Sequence, residues 1–116
     1  MVDDAIGDLV NNLKSERIQL KSERIQLKSE RIQERLEEVL GWALSDGEEE
    51  LAKTYQLSSR RAAVAFAGFV AQVAEDMGHE PQITIAGSGV EIRTRTEDVG
   101  GLSDSDFDLA GWIDRR

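Results

Sequence analysis

Residues 58–81 read SSRRAAVAFAGFVAQVAEDMGHEP, and the fold turns on this stretch. A helix is predicted from about Arg60 to Met77, with Ser58 or Ser59 supplying the N-cap oxygen and Gly78 placed to take the left-handed conformation that ends it. Phe66, Phe69, Val70, Val73 and Met77 share one stripe, whose ordinary reading is domain core rather than a ligand box. A second row, Ala63, Ala67, Ala71 and Ala74, would let another helix approach closely, although alanine is also simply a good helix former.

Downstream, Gln82–Ala86 and Val90–Arg95 read as strands joined by Gly87-Ser88-Gly89. Val90, Ile92 and Thr94 alternate with Glu91, Arg93 and Arg95, so one face is expected to be buried and the other wet. After Gly100-Gly101, Ser103 with Asp106 three residues on makes a capping-box start, and Leu102 can staple to Phe107, opening a short helix to about Asp114. Upstream, Trp42-Ala43-Leu44, the turn Ser45-Asp46-Gly47 and the run Glu50–Leu57 predict a hairpin with Leu51, Lys53, Tyr55 and Leu57 on one side. Before it, Ile32, Leu36, Val39 and Leu40 recur at helical spacing until Gly41 supplies a stop. The order is helix, two strands, long helix, two strands, short helix. It predicts an α+β fold, a four-stranded antiparallel sheet with helices packed on one face, plus an N-terminal helical extension.

That extension holds an exact repeat, Leu-Lys-Ser-Glu-Arg-Ile-Gln, at 13–19, 20–26 and 27–33. The period is seven, yet the aliphatic residues sit alternately five and two apart, so they form no single knobs-into-holes seam. Arg17 with Lys21, and Arg24 with Lys28, are like-charged pairs at i,i+4, each mildly destabilising. Residues 13–33 contain six basic and three acidic side chains, a net +3, so the remainder carries −12 of the chain's −9. A basic arm can contact an acidic partner or the acidic body of another copy; the plainer reading is a solvated helix extending the first domain helix. The expected division is an arm at 1–33 and a domain at 34–116.

The 116 residues suit one small domain, and the overall charge of −9 repels nucleic-acid phosphates, so no nucleic acid is expected as partner. With no cysteine, disulfides, thiolate metal sites and a thiol nucleophile are excluded. No apolar run is long enough for a membrane span and Met1-Val2-Asp3-Asp4 lacks the basic start of a secretion signal, so a soluble cytoplasmic protein is expected, without a membrane partner.

Several residues together carry a resemblance. Gly41-Trp42 after a helix, the Ala/Phe-rich helix, Gly78-His79-Glu80-Pro81 behind it, and Glu97-Asp98-Val99-Gly100-Gly101-Leu102 before Asp106-Phe107-Asp108-Leu109-Ala110 resemble the pterin-4a-carbinolamine dehydratase family in order and spacing. In that family His-His-Pro follows the long helix, an aromatic residue lies in the next hairpin, and Thr-His-Asp precedes Gly-Gly-Leu. Carried over position by position, His79 and Pro81 are kept, Glu80 and Glu97 stand where the second and third histidines belong, and the aromatic is replaced within Gly87-Ser88-Gly89.

Dehydration of a 4a-hydroxypterin needs a proton delivered to the leaving hydroxyl and another removed from a ring nitrogen, work suited to imidazoles titrating near neutrality. An unperturbed glutamate, with a pKa near 4.3, is ionised there and cannot serve as the acid. The resemblance therefore implies catalytic positions His79, Glu80 and Glu97 in degenerate form, inactive or nearly so. The same three residues offer hard ligands to a divalent metal, but with one histidine in the chain neither a metal nor a cofactor is expected. They also read as a surface cleft without chemistry, His79 simply meeting helix-end carbonyls.

The resemblance further implies a protein partner. Dehydratase-like proteins without the catalytic set serve as assembly factors, and the chain is similar to those that assemble RuBisCO beside α-carboxysome components. A RuBisCO client, carboxysome association, and a homodimer or homotetramer built through Val90–Arg95 and the Ala63/Ala67/Ala71 row are the corresponding expectations. The alternative is an active 4a-hydroxytetrahydrobiopterin dehydratase with His79 as acid/base and Glu97 assisting. A third reading makes the scaffold a dimerisation cofactor for a helical partner, with the basic arm as its local support.

Overall fold

The computed structural model describes residues 25–115. Its elements are α1 (Ser29–Leu36), β1 (Ala43–Leu44), β2 (Leu51–Gln56), α2 (Arg60–Met77), β3 (Gln82–Ala86), β4 (Gly89–Thr94), a 3-10 turn at Glu97–Val99 and α3 (Asp104–Asp114). The strands form one antiparallel sheet in the order β1-β2-β4-β3, with Lys53, Ile92 and Ile83 in register across it. This is the expected α+β arrangement. The first repeat, the second up to Arg24 and the expected helical extension over the same residues lie outside the described residues, and α1 takes in most of the third repeat.

Helix α2 has the predicted bounds. Ser59 Oγ accepts from Ala62 N–H at 3.0 Å, and Gly78 closes the other end at φ 70, a left-handed conformation that costs glycine nothing sterically. Its buried residues are Ala63, Phe66, Ala67, Val70 and Ala74. The core stripe is thus rotated from the expected one: Phe69 stays 37% exposed, while the small residues face inward. Alanines let the helix lie close on the sheet, so Ala63 and Ala67 meet the protomer's own strands and are closed to a second helix. Beneath them lie Leu51, Tyr55, Val90 and Ile92, and Phe107, Leu109 and Ile113 of α3 complete the core. Tyr55 tilts onto Phe66 with ring centroids 4.6 Å apart. Full burial of one such side chain stabilises by about 1.5–3 kcal/mol.

Two further expectations are corrected. Strand β4 is hydrogen-bonded on both sides, to β2 and β3, so Val90–Arg95 cannot extend the sheet into a second copy; β1 and β3 are the edges. Helix α1 ends at Leu36, and the chain reaches Trp42 through tight turns, Val39 N–H on Leu36 O and Trp42 N–H on Val39 O, with Gly41 at φ 84. That path buries Val39 and Trp42 but turns Leu40 out, 82% exposed. Arg35 ties α1 to α3 through Asp104 and Asp108, each at 2.9 Å.

Candidate functional site

The end of α2 sets the site. His79 N–H bonds to Ala74 O at 2.9 Å and Gly78 N–H to Glu75 O at 3.0 Å, the pairing of a Schellman closure. This fixes the His79 backbone against the last helical turn and sends its imidazole beneath the sheet, where the side chain is 4% exposed.

There it meets a carboxylate that sequence reading had placed only as a helix cap. Asp106, 0% exposed, accepts at Oδ1 from His79 Nε2 at 2.6 Å and from Thr94 Oγ1 at 2.6 Å. Its Oδ2 accepts from Thr96 Oγ1 at 2.7 Å and from Ser103 N–H at 3.0 Å, the latter the reciprocal half of the expected capping box. His79 Nε2 also lies 2.8 Å from Thr94 Oγ1. Because the Thr94 hydroxyl gives its one proton to Asp106, it cannot also donate to the ring, and Nε2 is assigned as the protonated nitrogen. Thr94 was legible as an inward-facing residue of β4; a buried hydroxyl requires a partner, and that requirement was the available clue to Asp106.

An open cleft of about 730 Å³ lies beside this network, within the range of small-molecule sites. His79, Glu80 and Glu97 all line it, so the structure brings the three expected positions together. They differ in setting. His79 is buried and held, whereas Glu80 is exposed and the Glu97 side chain is 83% exposed, its carboxylate 3.5 Å from Arg95 Nε. Glu75 and Asp98 add two more carboxylates, over an apolar floor that includes Ala74 and Ile83. No described Phe, Tyr or Trp ring lines the cleft, and the Gly87-Ser88 turn is not part of its wall. Among the described residues no group of three His, Cys, Asp or Glu side chains converges as a metal site, and no helix is long and apolar enough to cross a membrane.

Residues 25–116 match the family model described as pterin 4 alpha carbinolamine dehydratase. A Roseiflexus castenholzii protein named "Putative pterin-4-alpha-carbinolamine dehydratase" is 44% identical over 80 residues, covering 69% of this chain and 84% of that one. A protein of the same name from Chloroflexus aggregans is 42% identical over 73 residues, covering 63% and 77%. The crystal structure of a transcriptional coactivator/pterin dehydratase from Brucella melitensis superimposes with a TM-score of 0.73 at 23% identity, over 78% of this chain and 96% of that one, which is a likeness of fold.

Proposed function

We propose, starting from a chain that belongs to the pterin 4 alpha carbinolamine dehydratase family, that this member works as a non-catalytic protein-binding module. The observation that carries the reading is the contrast among the three site positions. The one imidazole is buried and bonded to Asp106, while its two companions are exposed carboxylates. An ionised carboxylate accepts a proton but cannot deliver one to a leaving hydroxyl. With no described Phe, Tyr or Trp ring in the cleft to stack a flat pterin, both halves of the dehydratase task lack their usual agents.

The client class suggested by the sequence resemblance is RuBisCO, with an assembly role in the α-carboxysome. Its test is co-purification of the full chain with RuBisCO subunits at physiological salt. Retention of the large subunit is the expected result, and elution of the chain alone would remove that client.

A second reading, 4a-hydroxytetrahydrobiopterin dehydratase, is favoured by one feature. Asp106 fixes the ring orientation of His79, which lines the cleft, an arrangement that suits general acid–base catalysis. Stopped-flow dehydration by the native chain and by His79→Ala tests it: rapid turnover that disappears with the imidazole establishes the second reading over the first, and equal, background rates remove it.

A further inference from the structure

We infer that the basic repeat arm of this chain docks into its own acidic cleft. The wall presents Glu75, Glu80, Glu97 and Asp98, and the one arginine among the lining residues, Arg95, is already drawn towards Glu49 at 3.7 Å and Glu97 at 3.5 Å. Negative charge therefore dominates an open groove with an apolar floor. Residues 13–24 offer the complement, Lys14, Arg17, Lys21 and Arg24 against Glu16 and Glu23, interleaved with Leu13, Ile18 and Leu20. Cationic side chains with aliphatic neighbours fit carboxylates above an apolar surface.

The place where the arm joins the domain supplies the second argument. Leu27 N–H donates to Leu102 O at 2.8 Å, and the Gln26 side chain covers Gly101 so closely that an added Cβ there would meet Gln26 Nε2 at 3.0 Å. Gly101 is bridged to Thr96, its carbonyl accepting from Thr96 N–H at 2.7 Å, and Thr96, Glu97 and Asp98 are cleft wall. The described part of the chain ahead of the domain thus begins beside the Thr96–Asp98 wall of the groove. Residues 13–24 span roughly 40 Å fully extended or roughly 18 Å if helical. Attachment at the cleft rim also gives the chain's own arm a high effective concentration over any other cationic segment. The contact does not rest on the non-catalytic reading, because its test reads proximity rather than turnover.

The absence of cysteine makes Ser22→Cys a unique attachment point for a nitroxide label on the isotope-enriched full chain. Amide signals of Glu80, Glu97 and Asp98 should lose more than half their intensity at low salt. They should recover at about 1 M salt, where the screening length falls to ~3 Å, and also when Lys14, Arg17, Lys21 and Arg24 are all changed to Glu. The paired substitution Glu80→Lys with Glu97→Lys, at exposed positions, should abolish the effect from the other side. Unchanged cleft signals, or losses centred on another surface, overturn the inference. Losses that persist at comparable size when labelled, unenriched chain is mixed with unlabelled, enriched chain assign the occupant to a second copy and overturn the intramolecular contact.

Discussion

Helix α3 carries a donor-gathering carboxylate at each end, and the two ends of the helix set them different problems. Asp106, in the first turn, sits where the helix dipole favours negative charge, fully buried among His79, Thr94, Thr96 and Ser103. Asp114, in the last turn, sits where the dipole opposes it, and remains 27% exposed. There Trp42 Nε1 at 2.9 Å, Tyr55 OH at 2.5 Å and Lys53 Nζ at 3.3 Å converge on the carboxylate. Burial pushes the Asp114 carboxyl up, but the hydrogen bonds from Tyr55, Trp42 and Lys53 together hold it below the usual carboxylate range. The Asp114 cluster stitches the first hairpin to the helix and nothing more. The Asp106 cluster does the same for β4 and the end of α2, and in doing so commits the chain's single imidazole.

The largest expected effect belongs to the buried end. Asp106→Ala removes the acceptor shared by His79, Thr94 and Thr96, and each buried donor left without a partner should cost about 1–3 kcal/mol. For a domain whose total stability is of the order of 5–15 kcal/mol, urea unfolding should show a greatly lowered midpoint. Asp114→Asn, which keeps the shape and removes the charge, should cost about 1.5–3 kcal/mol in the same assay.

The pH response separates the ends further. Because the folded-state pKa of Asp114 lies below its unfolded value, its contribution is complete above that unfolded value, ordinarily near 3.9, and is lost as pH falls through the folded pKa. The stability gap between native chain and Asp114→Asn should therefore be flat around neutrality and shrink below about pH 4. A gap that widens on acidification would contradict the assigned direction.

Smaller effects test how the imidazole is presented. Gly78→Ala places a side chain at φ 70 and should cost about 1–2 kcal/mol, loosening the closure that aims His79. Glu97→Ala, at an exposed position, should change stability by no more than about 0.5 kcal/mol. Equal costs for the two would mean that the cleft wall carries fold energy which its exposure does not suggest.

These contrasts also mark what could be read in advance. Helix α2 was legible to its end residues because Ser59 and Gly78 are local signals, and the alternation Val90, Ile92, Thr94 marked the buried face of β4. Which alanines of α2 face the sheet was not legible, because apolar residues run nearly all the way round and tertiary packing chooses the face. Nor was the interior place of β4, since strand order is a long-range property. At the site, His79, Glu80 and Glu97 were found by resemblance, while Asp106 was read only as a cap. Its partners lie 27, 12 and 10 residues away in sequence, beyond any local pattern.

The claim that two carboxylates have replaced the working imidazoles is tested most directly by putting the imidazoles back. Dehydration of 4a-hydroxytetrahydrobiopterin should run at the buffer rate with the native chain and rise clearly above it with Glu80→His and Glu97→His combined. Fast turnover by the native chain, abolished by His79→Ala and not improved by the double substitution, would contradict the account.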